Sequence, residues 1–327
     1  MKNVLFYICF IAVGVIGGCV WHKSIHSEKP TTSELTPNPK ELKDHLRYLE
    51  STLDTMHDVK PNPIPGEWLY HNKEMQQYPH QYLAAHPSIL DEKRNKIYIQ
   101  PIGSFTKAQW KILGVTADYL EVFYEVDVTV LDSISVERVP KKNRRLNDKG
   151  ETQLQTTYIM NDILTPDLPK DARGYMGFTA YDLYPDENYN FVFGQGKLGG
   201  NVGIYSLNRF GYPDWDSTEY SMCLKRTLKV ASHELGHIFG FRHCVDYECV
   251  MNGSNTMDET DRKPVYLCPL DMLKVTQGMG IDEVYRFNKL EAFWREKGYE
   301  NEADFYQKCA DLLASNTNRR QGGIHNN

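Results

Sequence analysis

Residues 233–243 read His-Glu-Leu-Gly-His-Ile-Phe-Gly-Phe-Arg-His. His233 and His237 are four apart, which on a helix places both imidazoles on one face, one turn from each other. Glu234 follows the first of them, where a carboxylate can reach a water held by the same metal. Gly240 lets the helix stop, because glycine accepts a left-handed C-terminal turn. The chain can then return His243 as a third nitrogen donor. Three neutral imidazoles and one open position describe a catalytic zinc site rather than a closed structural one. Upstream, Leu228, Val230 and Ala231 make an apolar approach. Ser217 or Thr218 is the expected N-cap after the turn Gly211-Tyr212-Pro213-Asp214, which predicts a helix of about 22 residues.

Cys244 follows the third histidine directly, Cys249 and Met251 come shortly after, and Cys268 lies beyond a polar loop. The run HELGHIFGFRHC, then Cys249, one residue and Met251, resembles the archaemetzincin pattern. The flanks also resemble that family: Gly66-Glu67-Trp68-Leu69, Ile97-Tyr98-Ile99-Gln100-Pro101-Ile102-Gly103, Asp182-Leu183-Tyr184-Pro185, Asn190-Phe191-Val192-Phe193-Gly194, Ser206-Leu207-Asn208-Arg209, Cys268-Pro269 and Tyr285-Arg286-Phe287. The similarity covers roughly residues 60–310. By resemblance Met251 is the Met-turn, an apolar floor under the three histidines. As a bare residue it is a loop-end methionine filling the core, and the two roles nearly coincide.

The family pattern implies four thiolates for a second, structural zinc. Here the last position is Asp271, in Cys268-Pro269-Leu270-Asp271. Cys244, Cys249, Cys268 and Asp271 can still hold zinc, since aspartate oxygen is an accepted though harder ligand. The competing arrangement is a Cys244–Cys249 disulfide, or free thiols. Cys309 falls on one helical face with Phe305, Leu312 and Leu313, and Cys223 sits on the active-site helix; both read as core.

The N-terminus reads as a targeting signal. Lys2 precedes the uncharged run Val4–Gly18, which ends in Ile16-Gly17-Gly18-Cys19. This resembles a bacterial lipobox, with Cys19 lipidated, residues 1–19 as signal and the domain held at a membrane surface. A plain N-terminal anchor and soluble secretion are the alternatives. All three export the protein, and Cys9 then has no role in the mature chain. Residues 20–60 form a polar tether followed by a short amphipathic helix with Leu42, Leu46, Leu49, Leu53 and Met56 in one stripe. Pro61-Asn62-Pro63-Ile64-Pro65 separates it from a catalytic domain at 61–315, and 316–327 is a polar, disordered tail.

The 327-residue chain is 41% hydrophobic with a net charge of −6. That mild acidity argues against nucleic-acid binding. Strands are expected at Lys96–Pro101, Asp127–Leu131, Tyr175–Ala180, Phe191–Phe193 and Val202–Leu207. Helices are expected at Thr106–Tyr124, with Trp110, Leu113, Ala117 and Leu120 on one side, at Leu154–Leu164, and at 270–278, 282–296 and 301–314. The basic stretch 139–150, with Lys141, Lys142, Arg144 and Arg145, reads as a solvated loop. The class is α+β: a small mixed sheet packed on the long zinc helix, with a mostly helical C-terminal part. Resemblance to the metzincins implies a cleft between two lobes, with a peptide-pairing edge strand near Gly200–Arg209. Gly199 and Gly200 either leave that edge uncrowded or make a hairpin turn.

The expected function is zinc-dependent peptide hydrolysis by a monomer on a peptide or protein substrate. His233, His237 and His243 hold the zinc, and Glu234 acts as general base. No tyrosine sits just after Met251 to serve as an oxyanion partner. The alternatives are a zinc-holding surface protein with little or no catalysis and a hydrolase of non-peptide amides or esters.

Overall fold

A computed structural model describes residues 38–87 and 89–322. Cys19, the lipobox and the greater part of the tether lie outside them. Among the described residues no helix is long and apolar enough to cross a membrane. The helices are α1 (Pro39–Thr52), α2 (Trp68–His71), α3 (Pro79–Ala84), α4 (Lys107–Tyr124), α5 (Thr156–Tyr158, continued by a π-helical turn Ile159–Leu164), α6 (Ser217–Ile238), α7 (Met257–Arg262), α8 (Pro269–Met279), α9 (Glu283–Glu296) and α10 (Glu300–Gly322). The strands are β1 (Lys96–Ile102), β2 (Asp127–Val130), β3 (Arg144–Leu146), β4 (Thr152–Gln155), β5 (Ala172–Thr179), β6 (Asp182–Tyr184), β7 (Gly194–Gly196) and β8 (Val202–Ser206).

Five strands form one sheet in the order β2-β1-β5-β8-β7, parallel except for β7, and β3-β4-β6 form a second, smaller one. Alternation along the strands divides two cores. Ile97, Ile99, Met176, Phe178 and Tyr205 face the helices α4 and α6, while Ile102, Tyr175, Val202 and Ile204 face the segment that carries α5. Every residue of β5 is buried, as expected for a parallel strand covered on both faces. The mixed α+β architecture with a mostly helical C-terminal part agrees with the sequence reading.

The 22-residue helix α6 crosses the domain beneath β7 and β8. Its N-cap is Asp216, one residue before the expected Ser217 and two before Thr218. The aspartate carboxylate accepts both Thr218 N–H and Glu219 N–H, at 2.8 and 2.9 Å, and complements the positive helix end, which one hydroxyl does less well. At the other end Arg173, wholly buried on β5, donates to Ile238 O at 2.9 Å and so satisfies a carbonyl the helix leaves open.

Several sequence-based expectations change. Trp110 is exposed on α4, whereas Leu113, Ala117 and Leu120 are buried as expected, with Ile112, Thr116, Tyr119 and Phe123 beside them. Leu154 belongs to strand β4, and the helix starts two residues later, because its partner β6 claims the extended segment. Phe191–Phe193 precede β7 rather than form it. The edge strand above the cleft is β7, not the region Gly200–Arg209: β8 lies inside the sheet between β5 and β7. Gly199, with φ +64°, turns the β7–β8 hairpin, and Gly200 N–H bonds Lys197 O. The basic stretch 139–150 is ordered. Arg144 and Arg145 lie on β3, where Arg144 reaches Glu137 and two carbonyls and Arg145 stacks on Tyr184. The last helix runs to Gly322, through part of the expected disordered tail, since no proline or glycine interrupts it after Asn316.

Helix α1 buries Leu42 and Leu49, and its C-cap Leu53, in the same core as α6 and packs on α3, α8 and α10. Leu49→Ala is therefore expected to destabilise the whole domain by about 2–5 kcal/mol, the usual cost of emptying a fully buried leucine site. A shift below about 0.5 kcal/mol in urea denaturation would show that α1 is only an appendage.

Candidate active site

Helix α6 ends in a Schellman turn. Phe241 N–H bonds Gly236 O and Gly240 N–H bonds His237 O, both at 2.9 Å, with Gly240 at φ +94°. This turn sends the chain back so that His243 meets the two histidines of the helix. The ligand-type atoms of His233, His237 and His243 lie within 4.8 Å of one another. His233 Nε2 and His237 Nε2 are 3.0 Å apart.

Each ring is oriented by its other nitrogen. His233 Nδ1 is 2.9 Å from Val250 O, and His237 Nδ1 is 2.7 Å from Phe241 O. A carbonyl only accepts, so both Nδ1 atoms carry the hydrogen and both Nε2 atoms present bare lone pairs. His243 Nδ1 faces the Glu74 carboxylate at 2.9 and 3.0 Å. Burial holds His237 down to about 3 and His233 well below its ordinary value, so both rings are neutral donors. For Glu74, burial pushes upward, but the His243 and Trp68 hydrogen bonds outweigh it and keep the carboxyl below its usual range. The trio thus fits a zinc ion in donor type, tautomer and convergence.

Glu234 is buried one residue from His233. Burial pushes it up to about 8, while Lys263 and the Gly196 N–H favour the charged form. A dication between the histidines would favour the carboxylate further. Strand β7 lies directly on this residue. A Cβ on Gly194 would stand 2.8 Å from Glu234 Oε1, and one on Gly196 would stand 2.4 Å from Glu234 O and 3.0 Å from His237 Cβ. Both positions accept only glycine without displacement. The same logic holds beneath the helix: a Cβ on Gly236 would strike Met251 Sδ at 2.7 Å, so this glycine admits Met251 as the floor under the trio.

The cleft is a cavity of about 390 Å³. It is lined by Phe191–Phe193, Gly194–Gly196, Ser254, Asn255, Lys263 and Trp68, together with Glu234 and the three histidines. A further hollow, lined by Lys73, Glu74 and Arg242, shares His237 and His243 with the cleft but not Glu234.

Cys244, Cys249, Cys268 and Asp271 gather in a second cluster, all buried, with ligand atoms within 4.8 Å. Cys244 Sγ and Cys268 Sγ are 3.6 Å apart, and Asp271 Oδ2 is 3.3 Å from Cys249 Sγ. All five described cysteines are free thiols, so the alternative Cys244–Cys249 disulfide is not formed. Hydrogen bonds from the Cys249 and Cys268 thiols hold Cys244 well below its ordinary value. Lys274, wholly buried, donates to Asp271 Oδ1 at 2.7 Å, leaving Oδ2 toward the sulfurs. Burial raises Asp271 to about 6, with Lys274 acting the other way. Cys223 and Cys309 are buried in the core, as expected.

The sequence motif located the histidines, Glu234 and the cysteine cluster. It missed Glu74, Lys263, Gly194 and Gly196, and the two orienting carbonyls. The glycine pair in a three-residue segment was a readable signal of close backbone approach. Glu74 and Lys263, distant in sequence, carried none.

Residues 167–276 match peptidase family M54. The chain is 33% identical to archaemetzincin-2 of Mus musculus over 233 residues, which cover 61% of this chain and 63% of that relative, just under two thirds of its length. It is 31% identical to human archaemetzincin-2 over 259 residues, covering 69% of this chain and 71% of the relative. Among solved structures it is similar to an archaemetzincin of Archaeoglobus fulgidus, crystallised with malonate, at 31% identity and a TM-score of 0.44, over 55% of this chain and 99% of that one.

Gly196→Ala is expected to cost about 1–3 kcal/mol, because the methyl must push β7 off the helix. Metal binding at the three histidines should weaken with it. Unaltered thermal stability and zinc affinity would show that β7 has room to spare.

Proposed function

The chain belongs to the archaemetzincin family, peptidase family M54, and from that premise we propose that it is a zinc-dependent peptidase in which His233, His237 and His243 hold the catalytic ion. The observation that carries this reading is the convergence of three Nε2 lone pairs, each made available by an acceptor on the opposite nitrogen. When bound, zinc supplies Lewis acidity toward water and toward the scissile carbonyl.

The chain's own groups do the rest. Glu234, in contact with the space beside the histidines, takes a proton from the attacking water and passes it to the leaving amine. Its burial suits both roles, since a carboxyl with a raised pKa accepts and returns a proton more evenly than an exposed one. Strand β7, at the free edge of the sheet, offers main-chain groups to an extended peptide and so fixes the carbonyl over the site. Trp68, half-buried beside His243 with ring centroids 5.1 Å apart, walls the cleft against water. Glu74 acts as a positioning residue for His243.

Cys244, Cys249, Cys268 and Asp271 through Oδ2 fit a second, structural zinc, with Lys274 offsetting part of the negative charge of three thiolates and a carboxylate. This cluster braces the first, because Cys249, Val250 and Met251 are consecutive and Val250 orients His233. Export through a lipidated Cys19 remains part of the proposal.

Glu234→Gln should retain the zinc of the three histidines and lose turnover by about 10²–10⁴-fold. Peptide cleavage by this variant at the wild-type rate would remove Glu234 from the mechanism, and absence of any cleavage by the zinc-loaded wild type across a diverse peptide library would remove the peptidase reading. Elemental analysis of the pure protein should give about two zinc ions per chain and about one in Asp271→Ala. One ion in both would eliminate the structural site. Glu74→Gln is expected to weaken zinc binding about 10–100-fold, as read in a chelator competition.

A further inference from the structure

One charged group in the cleft neither holds the metal nor carries a proton in the proposed hydrolysis, though its charge acts on Glu234. Lys263 follows α7 directly and lines the same cavity as Glu234, yet its side chain is 4% exposed. Its ammonium carries three donors. It makes one hydrogen bond, to Asn252 O at 3.3 Å, and among the described residues no carboxylate lies within ion-pairing distance. A lone buried ammonium costs several kcal/mol and persists only where something needs it. Burial pulls the Lys263 pKa down to about 8, with Glu234 acting the other way.

A second group in the lining of this cavity is also unmet. Ser254 Oγ is buried without a hydrogen-bond partner, and Ser254 lines the same cavity as Lys263. Two donors with open valences, one of them cationic, call for an anionic acceptor with two oxygens. The other acid lining the cavity, Asp186, accepts Asn188 N–H at 2.8 Å and forms no ion pair with Lys263. The position of these donors is informative. Glu234 protonates the leaving amine, so the residue that supplies this amine lies on the Glu234 side of the histidines. Glu234 lines the cavity of Lys263 and does not line the hollow with Glu74.

We propose that Lys263 and Ser254 form a carboxylate-binding subsite, and that the enzyme selects peptides carrying a carboxylate on the residue immediately after the scissile bond. This rests on the peptidase reading above. The carboxylate comes from an acidic side chain or from the free C-terminus of the substrate.

Matched peptides with Glu or Gln after the cleaved bond, each with a free or an amidated C-terminus, test it on the zinc-loaded protein. The wild type should favour the carboxylate by at least about ten-fold in kcat/KM, the expected worth of a charge-assisted hydrogen bond. A preference set by Glu over Gln identifies the side chain as the source; one set by the free terminus identifies the α-carboxylate. Lys263→Met should bring the ratio to about one, and Lys263→Arg should restore most of it. Calorimetric titration with N-acetylglutamate α-amide and its glutamine counterpart gives the same comparison without turnover. Discrimination there in the absence of any peptide cleavage would overturn the hydrolase reading while supporting the subsite. A ratio near one in the wild type, or one unchanged in Lys263→Met, overturns the subsite.

Discussion

The hydrogen bond from His233 Nδ1 to Val250 O is the contact on which the site's order depends. It joins the helix that carries two histidines to the loop that carries Met251 and the second cluster. It also decides which nitrogen of His233 holds the proton, and so which one can face a cation. The equivalent bond at His237 uses Phe241 O, a carbonyl exposed by the helix's own C-terminal turn. The element that terminates α6 thus also orients one of its ligands. Tyr124 hydroxyl adds a further tie by donating to Ser232 O at 2.7 Å.

Close approach is the second constraint. Gly194, Gly196 and Gly236 are each opposed by an atom that a methyl would displace. They let an edge strand lie on one side of the active-site helix and a methionine on the other. Glu234 is consequently held between backbone and helix with little rotational freedom, which lowers the entropic cost of using it. It also loses water, which is why its affinity for a proton rises.

Buried charge is the third theme. Arg173, Arg286, Lys229, Lys263, Lys274 and Asp271 are all buried. Most are answered locally: Arg173 and Lys229 by carbonyls at helix ends, Arg286 by Phe123 O, and Lys274 by Asp271. Lys263 has one long hydrogen bond, to Asn252 O at 3.3 Å, and it is the one of these that lines the cleft. The contrast separates charges that hold the fold from one kept for a ligand.

The motif at 233–243 determined by itself the helix, its stop at Gly240, the trio of histidines and the acid beside them. Spacing alone suffices there, because helical periodicity and a glycine turn are local properties. The cysteine cluster was likewise readable, and the disulfide alternative was settled only by where the thiols stand. Which strand forms the cleft's edge, what orients each imidazole, and the presence of Glu74 and Lys263 were decided by tertiary structure. His243 and Glu74 are 169 positions apart, and no periodicity in the chain relates them. Carbonyl acceptors are equally invisible, since every residue has one and only folding chooses which is aimed at a ring. The sequence names the groups able to do chemistry; packing selects the neighbours that set their protons, their orientation and the substrate they face.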